Sequence, residues 1–229
     1  MIEWIAGITG AIGTFLVYAG ARSFYKWFPH PLTLPLLIGT IFMVTFLLVT
    51  GISYDTYMIG GQWIERLLGP AVVALAYPLY QQRSMLKRYF IPLLSGVTFG
   101  TCIGLVTSYS LSVLLGMEKT LIYSLLPNSV TTPVAMEVSE TIGGYPAITA
   151  IFVMVAGIGG VVAGPYWFRL LGIKDPVSKG IATGTASHAI GTAKALESSE
   201  EEGAASSVSM TISAVLVSIL VPVAALWFF

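Results

Sequence analysis

Apolar residues run through this chain in long blocks rather than in short alternations. Five stretches hold no Asp, Glu, Lys or Arg and are long enough to cross a bilayer: residues 4–21, 27–54 (apolar over 32–50), 89–117, 141–168 and 203–229. A hydrocarbon core about 30 Å thick needs roughly 20 apolar helical residues. Three shorter charge-free gaps lie between them, at residues 67–82, 120–136 and 180–193. The last two are rich in Gly, Ser and Thr. Irregular backbone at membrane depth is tolerated only where protein or a cavity covers it. The pattern therefore predicts an all-α polytopic membrane protein. It has about six full spans and two broken or re-entrant elements, near residues 121–140 and 177–196. We expect one transmembrane domain over 1–229, with two peripheral helices in 1–60 and the core in 61–229.

Composition agrees with this pattern. Only 10% of the 229 residues are charged and 55% are hydrophobic. Soluble domains carry about 25% charged residues. Net charge is zero, so no bulk field recruits nucleic acid. The single Cys102 rules out a disulfide framework and a cysteine metal cluster. Only Glu3 precedes the first apolar stretch, without a basic leader, so we expect that stretch to be a retained helix.

The few charges set an orientation. Basic residues cluster at Arg22 and Lys26, at Arg83, Lys87 and Arg88, and at Arg169, Lys174 and Lys179. If the first helix runs outside to inside, residues 67–82 span and the Pro127 segment returns to its own side, all of these face the cytoplasm. Arg66 and Lys119 then face out, as the positive-inside rule prefers. The expected location is the bacterial cytoplasmic (inner) membrane. Elements dipping from opposite faces are typical of carriers with inverted repeats. A weak repeat adds to this. Leu67-Leu68-Gly69-Pro70 and Leu125-Leu126-Pro127-Asn128 each open a segment, and each is followed by a long helix ending in Leu-Leu-Gly, at 114–116 and 170–172.

Two polar segments carry the candidate chemistry. The first runs from Pro127 to Glu137 and contains Asn128, Ser129, Thr131, Thr132 and Pro133. Two prolines six residues apart disfavour a continuous helix. A new helix is expected to start near Thr132 and Pro133, since Thr is a fair cap and Pro suits the first helical position. Such a start carries partial positive charge and holds anions such as carboxylates. Glu137, one turn deeper, is either a proton-coupling or binding carboxylate, or a paired or interfacial charge. The second segment runs from Gly180 to Ala195. If it is helical, Thr185, His188 and Thr192 share one face, while Gly184, Gly191 and Ala195 form a smooth packing strip. Ionisable groups inside a membrane are costly and tend to be functional, so His188 is a candidate for binding or proton relay. Lys194 pairs with a substrate carboxylate, pairs with Glu137, or snorkels to the interface. The acidic run Glu197, Glu200, Glu201 and Glu202 reads as a solvated turn. No Walker, zinc, Ser-His-Asp or dinucleotide pattern appears in a supporting context. We expect no enzyme activity, cofactor or metal.

At these segments the sequence resembles the LrgB/CidB family of antiholin-like murein hydrolase modulators. The likeness rests on residues 129–137 (SVTTPVAME), 142–144 (IGG), 172–176 (GIKDP) and 184–195 (GTASHAIGTAKA). It is most specific from about residue 120 to 210. The resemblance implies two pictures. In one, the protein acts with a small LrgA/CidA-like membrane partner on murein hydrolase export and autolysis. In the other it carries small monocarboxylates, as does a similar domain of a plant plastid glycolate/glycerate translocator. The polar segments favour the carrier. In that reading Asn128, Ser129, Thr131, Thr132 and Pro133 meet Thr185, Ser187, His188, Thr192 and Lys194 around a small organic anion. His188 or Glu137 carries a coupled proton. We expect a homo-oligomer in the lipid bilayer.

Overall fold

A computed structural model describes residues 2–30, 33–67, 70, 73 and 76–228 of the protein. Among these residues all regular structure is helical and no strand occurs. The chain divides into two compact units, Met1–Ala71 and Val72–Phe229.

The first unit holds α1 (Ile2–Trp27), α2 (Pro35–Thr50) and α3 (Tyr54–Glu65). Gly51 closes α2 in the left-handed conformation, at φ 69°. Ser53 then caps α3, its hydroxyl accepting from the Thr56 amide at 3.2 Å. The hydroxyls of Thr14 and Tyr57 pair at 2.9 Å and tie α1 to α3.

The second unit holds α4 (Ala76–Gln81), α5 (Arg83–Arg88), α6 (Phe90–Leu114), α7 (Lys119–Leu125), α8 (Thr132–Thr141), α9 (Pro146–Leu170), α10 (Pro176–Ser198) and α11 (Glu200–Phe228). Among the described residues, α6, α9 and the Glu200–Leu226 part of α11 are both long and apolar enough to cross a membrane. The hydropathy pattern predicts six spans, and these three helices meet both criteria. α2 is apolar but has only 16 residues. The expected span at 67–82, with the Leu68-Gly69 start of the sequence repeat, lies in part outside the described residues. α6 and α9 are alike in detail. Each has 25 residues, and each ends in Leu-Leu-Gly with the glycine at positive φ, 66° at Gly116 and 67° at Gly172.

The core of this unit gathers Ile122, Val130, Val134, Val138, Val153 and Val217, drawn from α7, α8, α9, α11 and the α7–α8 link. Around it, two chain segments return to where they begin. The Tyr145 amide donates to the Ser124 hydroxyl at 2.7 Å, so residues 124–145 form a closed excursion. A second tie is the Thr149 hydroxyl donating to that of Ser139, at 2.7 Å.

The other excursion is α10. A straight helix would hold Gly184 and Thr192 about 12 Å apart. Yet a Cβ on Gly184 would collide with the Ser206 carbonyl, and the Thr192 hydroxyl lies 2.8 Å from that of Ser206. Nearer the root, Gly180 meets Glu202 and Leu196 meets Gly203. Gly191 faces Thr183. α10 is therefore a hairpin of two helical arms laid side by side on α11. It reverses at His188, whose φ of 40° and ψ of −133° interrupt the helix. Thr185, His188 and Thr192 therefore do not share the single face that a continuous helix over this segment would give them. The expected glycine strip is also redistributed: Gly184 seats the first arm on α11, and Gly191 lets the second arm close on the first.

Candidate functional site

The first polar segment begins where α7 ends. Pro127 cannot donate to a preceding turn, and the chain leaves helical conformation over residues 126–131. α8 starts at Thr132 with Thr131 as its cap residue (φ −60°, ψ 143°) and Pro133 in its first turn. That is the start the sequence predicts. Thr131 is buried, makes no side-chain capping bond, and its hydroxyl oxygen has no hydrogen-bond partner. The first amides of a helix lack intrahelical acceptors. Here an uncapped helix start lies against a buried hydroxyl that is itself unsatisfied.

Two residues of this segment reach a cavity of about 760 Å³. Asn128 and Ser129 line it together with Thr185 and Ala186 of the first α10 arm and Gly100 and Gly104 of α6. The two polar elements thus meet at one space. On α6 the lining runs from Pro92 to Gly104, about 3–21 Å along a helix of about 37 Å, so the cavity occupies the first half of α6 and reaches its mid-height at Gly104. The α6 wall is smooth because α6 and α10 touch through glycines. A Cβ on Gly96 would meet Ile181 at 2.9 Å, and one on Gly100 would meet Thr185 at 3.0 Å.

The hairpin tip is closed rather than open to this cavity. His188 is 2% exposed, and its Nε2 lies 3.0 Å from the Val153 carbonyl. Read as a hydrogen bond, this makes Nε2–H the donor. The ring sits against Gly157, where a Cβ would come within 2.8 Å, and Ser187 sits against Gly160. The Thr192 hydroxyl donates to the His188 carbonyl four residues before it, at 2.8 Å.

The remaining candidates lie elsewhere. Glu137 is exposed on α8. Lys194 stands at the hairpin root, half-exposed and 2.7 Å from the Glu197 carboxylate. At the same root, Asp175 caps α10. The hydroxyl and the amide of Ser178 both donate to its carboxylate at 2.7 Å and hold its pKa below the usual range. Sequence reasoning missed the hydroxyls of α11. Ser206, Ser209 and Ser213 are buried on one face, at offsets 0, 3 and 7. Ser206 meets Thr192, Ser213 meets Thr101 of α6 at 3.2 Å, and the Ser209 oxygen is buried without a partner. The signal was their helical spacing, hidden within an apolar span.

Comparison with known proteins now places the chain. The LrgB-like family model matches residues 14–227. Bacillus subtilis has two similar proteins, named uncharacterized protein YxaC (45% identical, covering 94% of both chains) and uncharacterized protein YwbG (41% identical, covering 92% of this chain and 93% of the relative). The holin-like protein CidB of Staphylococcus epidermidis is 38% identical over the full length of both chains. No solved structure matches. A match of this extent, over a chain with three membrane-length apolar helices among its described residues, shows that the protein is a membrane protein and belongs to the LrgB-like family.

Proposed function

We propose that this protein carries small monocarboxylates, of the pyruvate, glycolate or glycerate class, across the bacterial cytoplasmic membrane by alternating access. The observation that supports this reading is the shared cavity of Asn128, Ser129 and Thr185, which runs along the first half of a membrane-length helix as far as its mid-height. A small carboxylate needs hydroxyl and amide donors and a helix start, and that is the chemistry of this segment. In the proposed cycle the Asn128 amide and the Ser129 hydroxyl donate to the carboxylate. The start of α8, with Thr131, Thr132 and Pro133, offers backbone dipoles. Thr185, Ser187 and Thr192 form the opposing wall as the hairpin moves, and Lys194 meets the anion at the hairpin root. His188 or Glu137 carries the coupled proton. The chain would cross the membrane six times, with residues 124–145 and 176–198 as re-entrant elements from opposite faces.

A second reading has its own support. Full-length relatives bear the name holin-like protein, which favours a pore or a modulator of murein hydrolase export, working with a small LrgA/CidA-like membrane partner. The names favour this reading over the carrier, while the packed hairpin and the polar groups gathered at one cavity favour the carrier. Proteoliposomes holding the purified protein, with and without the partner, separate the two. Saturable uptake of labelled pyruvate, glycolate, glycerate or lactate supports the carrier. Leakage of larger dyes without saturable uptake supports the pore and removes the carrier.

A further inference from the structure

A second cavity, of about 650 Å³, lies at the root of the hairpin, away from the Asn128 site. Four cations converge on it from four stretches of chain: Arg169 at the end of α9, Lys174 in the following loop, Lys179 on the first arm and Lys194 on the second. Glu202 is the only acidic side chain among its lining residues. Lys194 is paired with Glu197 and Glu202 offsets part of the Lys179 charge, but Arg169, Lys174 and Lys179 together leave the cavity lining net positive. The other wall is apolar, formed by Val161, Gly164 and Phe168 of α9. Just before Arg169, Tyr166 and Trp167 are exposed and stacked edge to face at 5.8 Å. Exposed Tyr and Trp at the end of a membrane helix mark the headgroup level.

From this arrangement we propose that the root cavity is a binding site for an anionic phospholipid. Its phosphate lies among Arg169, Lys174 and Lys179, and an acyl chain lies along Val161 and Phe168. Basic pockets between membrane helices take lipid phosphates, and guanidinium groups pair them bidentately. A free oxyanion shares the charge chemistry but has no use for the apolar wall, which is why the lipid is the better occupant. A phosphate held there bridges α9 to the hairpin arms and secures the hairpin at its base. The proposal stands on its own, whatever the protein transports.

The test uses the full chain in detergent, melted with added phosphatidylglycerol or phosphatidylcholine. Ligand that binds only the folded state raises the melting midpoint. The midpoint is expected to be higher with phosphatidylglycerol. Arg169→Gln/Lys179→Gln should lose most of that rise, while Arg83→Gln/Lys87→Gln, in a separate basic cluster, keeps it. No rise in the unaltered protein, or an equal rise in both double variants, overturns the site. Inorganic phosphate forms the second arm. A rise with phosphate to which phosphatidylglycerol adds nothing overturns the lipid assignment. If the Arg169 variant does not fold, native mass spectrometry of the unaltered protein reads the same point, since equal retention of the two lipids also overturns the site.

Discussion

The two excursions of the second unit, residues 124–145 and the α10 hairpin, both return to their starting points but reverse by different means. In the first, the reversal is local. Pro127 and Pro133 frame a short stretch that cannot stay helical, and the freed segment turns Asn128 and Ser129 toward a cavity. In the second, the chain reverses at one residue that is neither proline nor glycine. Tertiary contacts hold it: the His188 ring against Gly157, Ser187 against Gly160, and both arms against α11. The first excursion buries Val130, Val134 and Val138 in the core but turns Asn128 and Ser129 to a cavity and leaves the Thr131 hydroxyl unsatisfied, whereas the second is packed and satisfied at its tip. In an alternating-access cycle this contrast separates the roles. Under that proposal the Asn128–Ser129 segment would bind and the packed hairpin would move as a body. Its tight face is α11 and its looser face is α6.

Adding one methyl group to each face breaks or sharpens this contrast most strongly. Gly184→Ala drives a Cβ into the Ser206 backbone, which cannot swing aside. Overpacking costs about 1–3 kcal/mol, occasionally more, and this substitution is expected at the upper end, with a large loss of folded yield from the membrane. Gly100→Ala meets only the Thr185 methyl at 3.0 Å and should cost well under half as much. Melting of the two purified variants gives the order. Equal losses would remove the distinction between a tight face and a loose face.

The next effect tests the reversal itself. A side chain held in this backbone region costs about 1–3 kcal/mol. His188→Ala loses the ring and the Val153 bond yet keeps that strain, while His188→Gly loses the same contacts and relieves it. The Gly variant should therefore melt above the Ala variant. In an ordinary helix the order is opposite, since Gly is about 1 kcal/mol worse than Ala. An Ala variant as stable as Gly or more so would mean that α10 does not reverse at this residue.

Much of this architecture was legible in the sequence, and the two excursions show where legibility ends. The start of α8 at Thr132 follows from Thr131, Thr132 and Pro133, because proline restricts its own φ and helix starts favour such residues. The reversal at His188 could not be read in the same way. The Gly-, Ser- and Thr-rich composition of 177–196 predicts a broken or re-entrant element, but no residue near His188 forbids a helix or marks the turning point. What bends the chain is space provided by Gly157 and Gly160 on α9, more than twenty residues away. The site follows the same division. Asn128, Ser129 and Thr185 were identifiable as hydroxyl and amide groups in segments too polar for lipid. The glycine wall of α6 and the serines of α11 were not, because each sits within an apolar span whose neighbours dominate the hydropathy.

The smallest effect is also the one that links packing to binding. Thr131 and Ser209 each bury a hydroxyl oxygen without a partner, and such a group costs about 1–3 kcal/mol. Val matches Thr in shape, so Thr131→Val removes the unsatisfied group without opening a cavity, and it should leave stability unchanged or raise it by up to about 1 kcal/mol. Ser209→Ala carries the same expectation for stability. The two should part in proteoliposome uptake. Thr131 stands at the start of α8 and belongs to the proposed carboxylate site, so its variant should be more stable and yet slower, while the Ser209 variant keeps normal uptake. Lower stability in both variants would mean that these hydroxyls are satisfied in the membrane. A Thr131 variant with unchanged uptake would take the start of α8 out of the binding site and leave Asn128 and Ser129 as its remaining members on that segment.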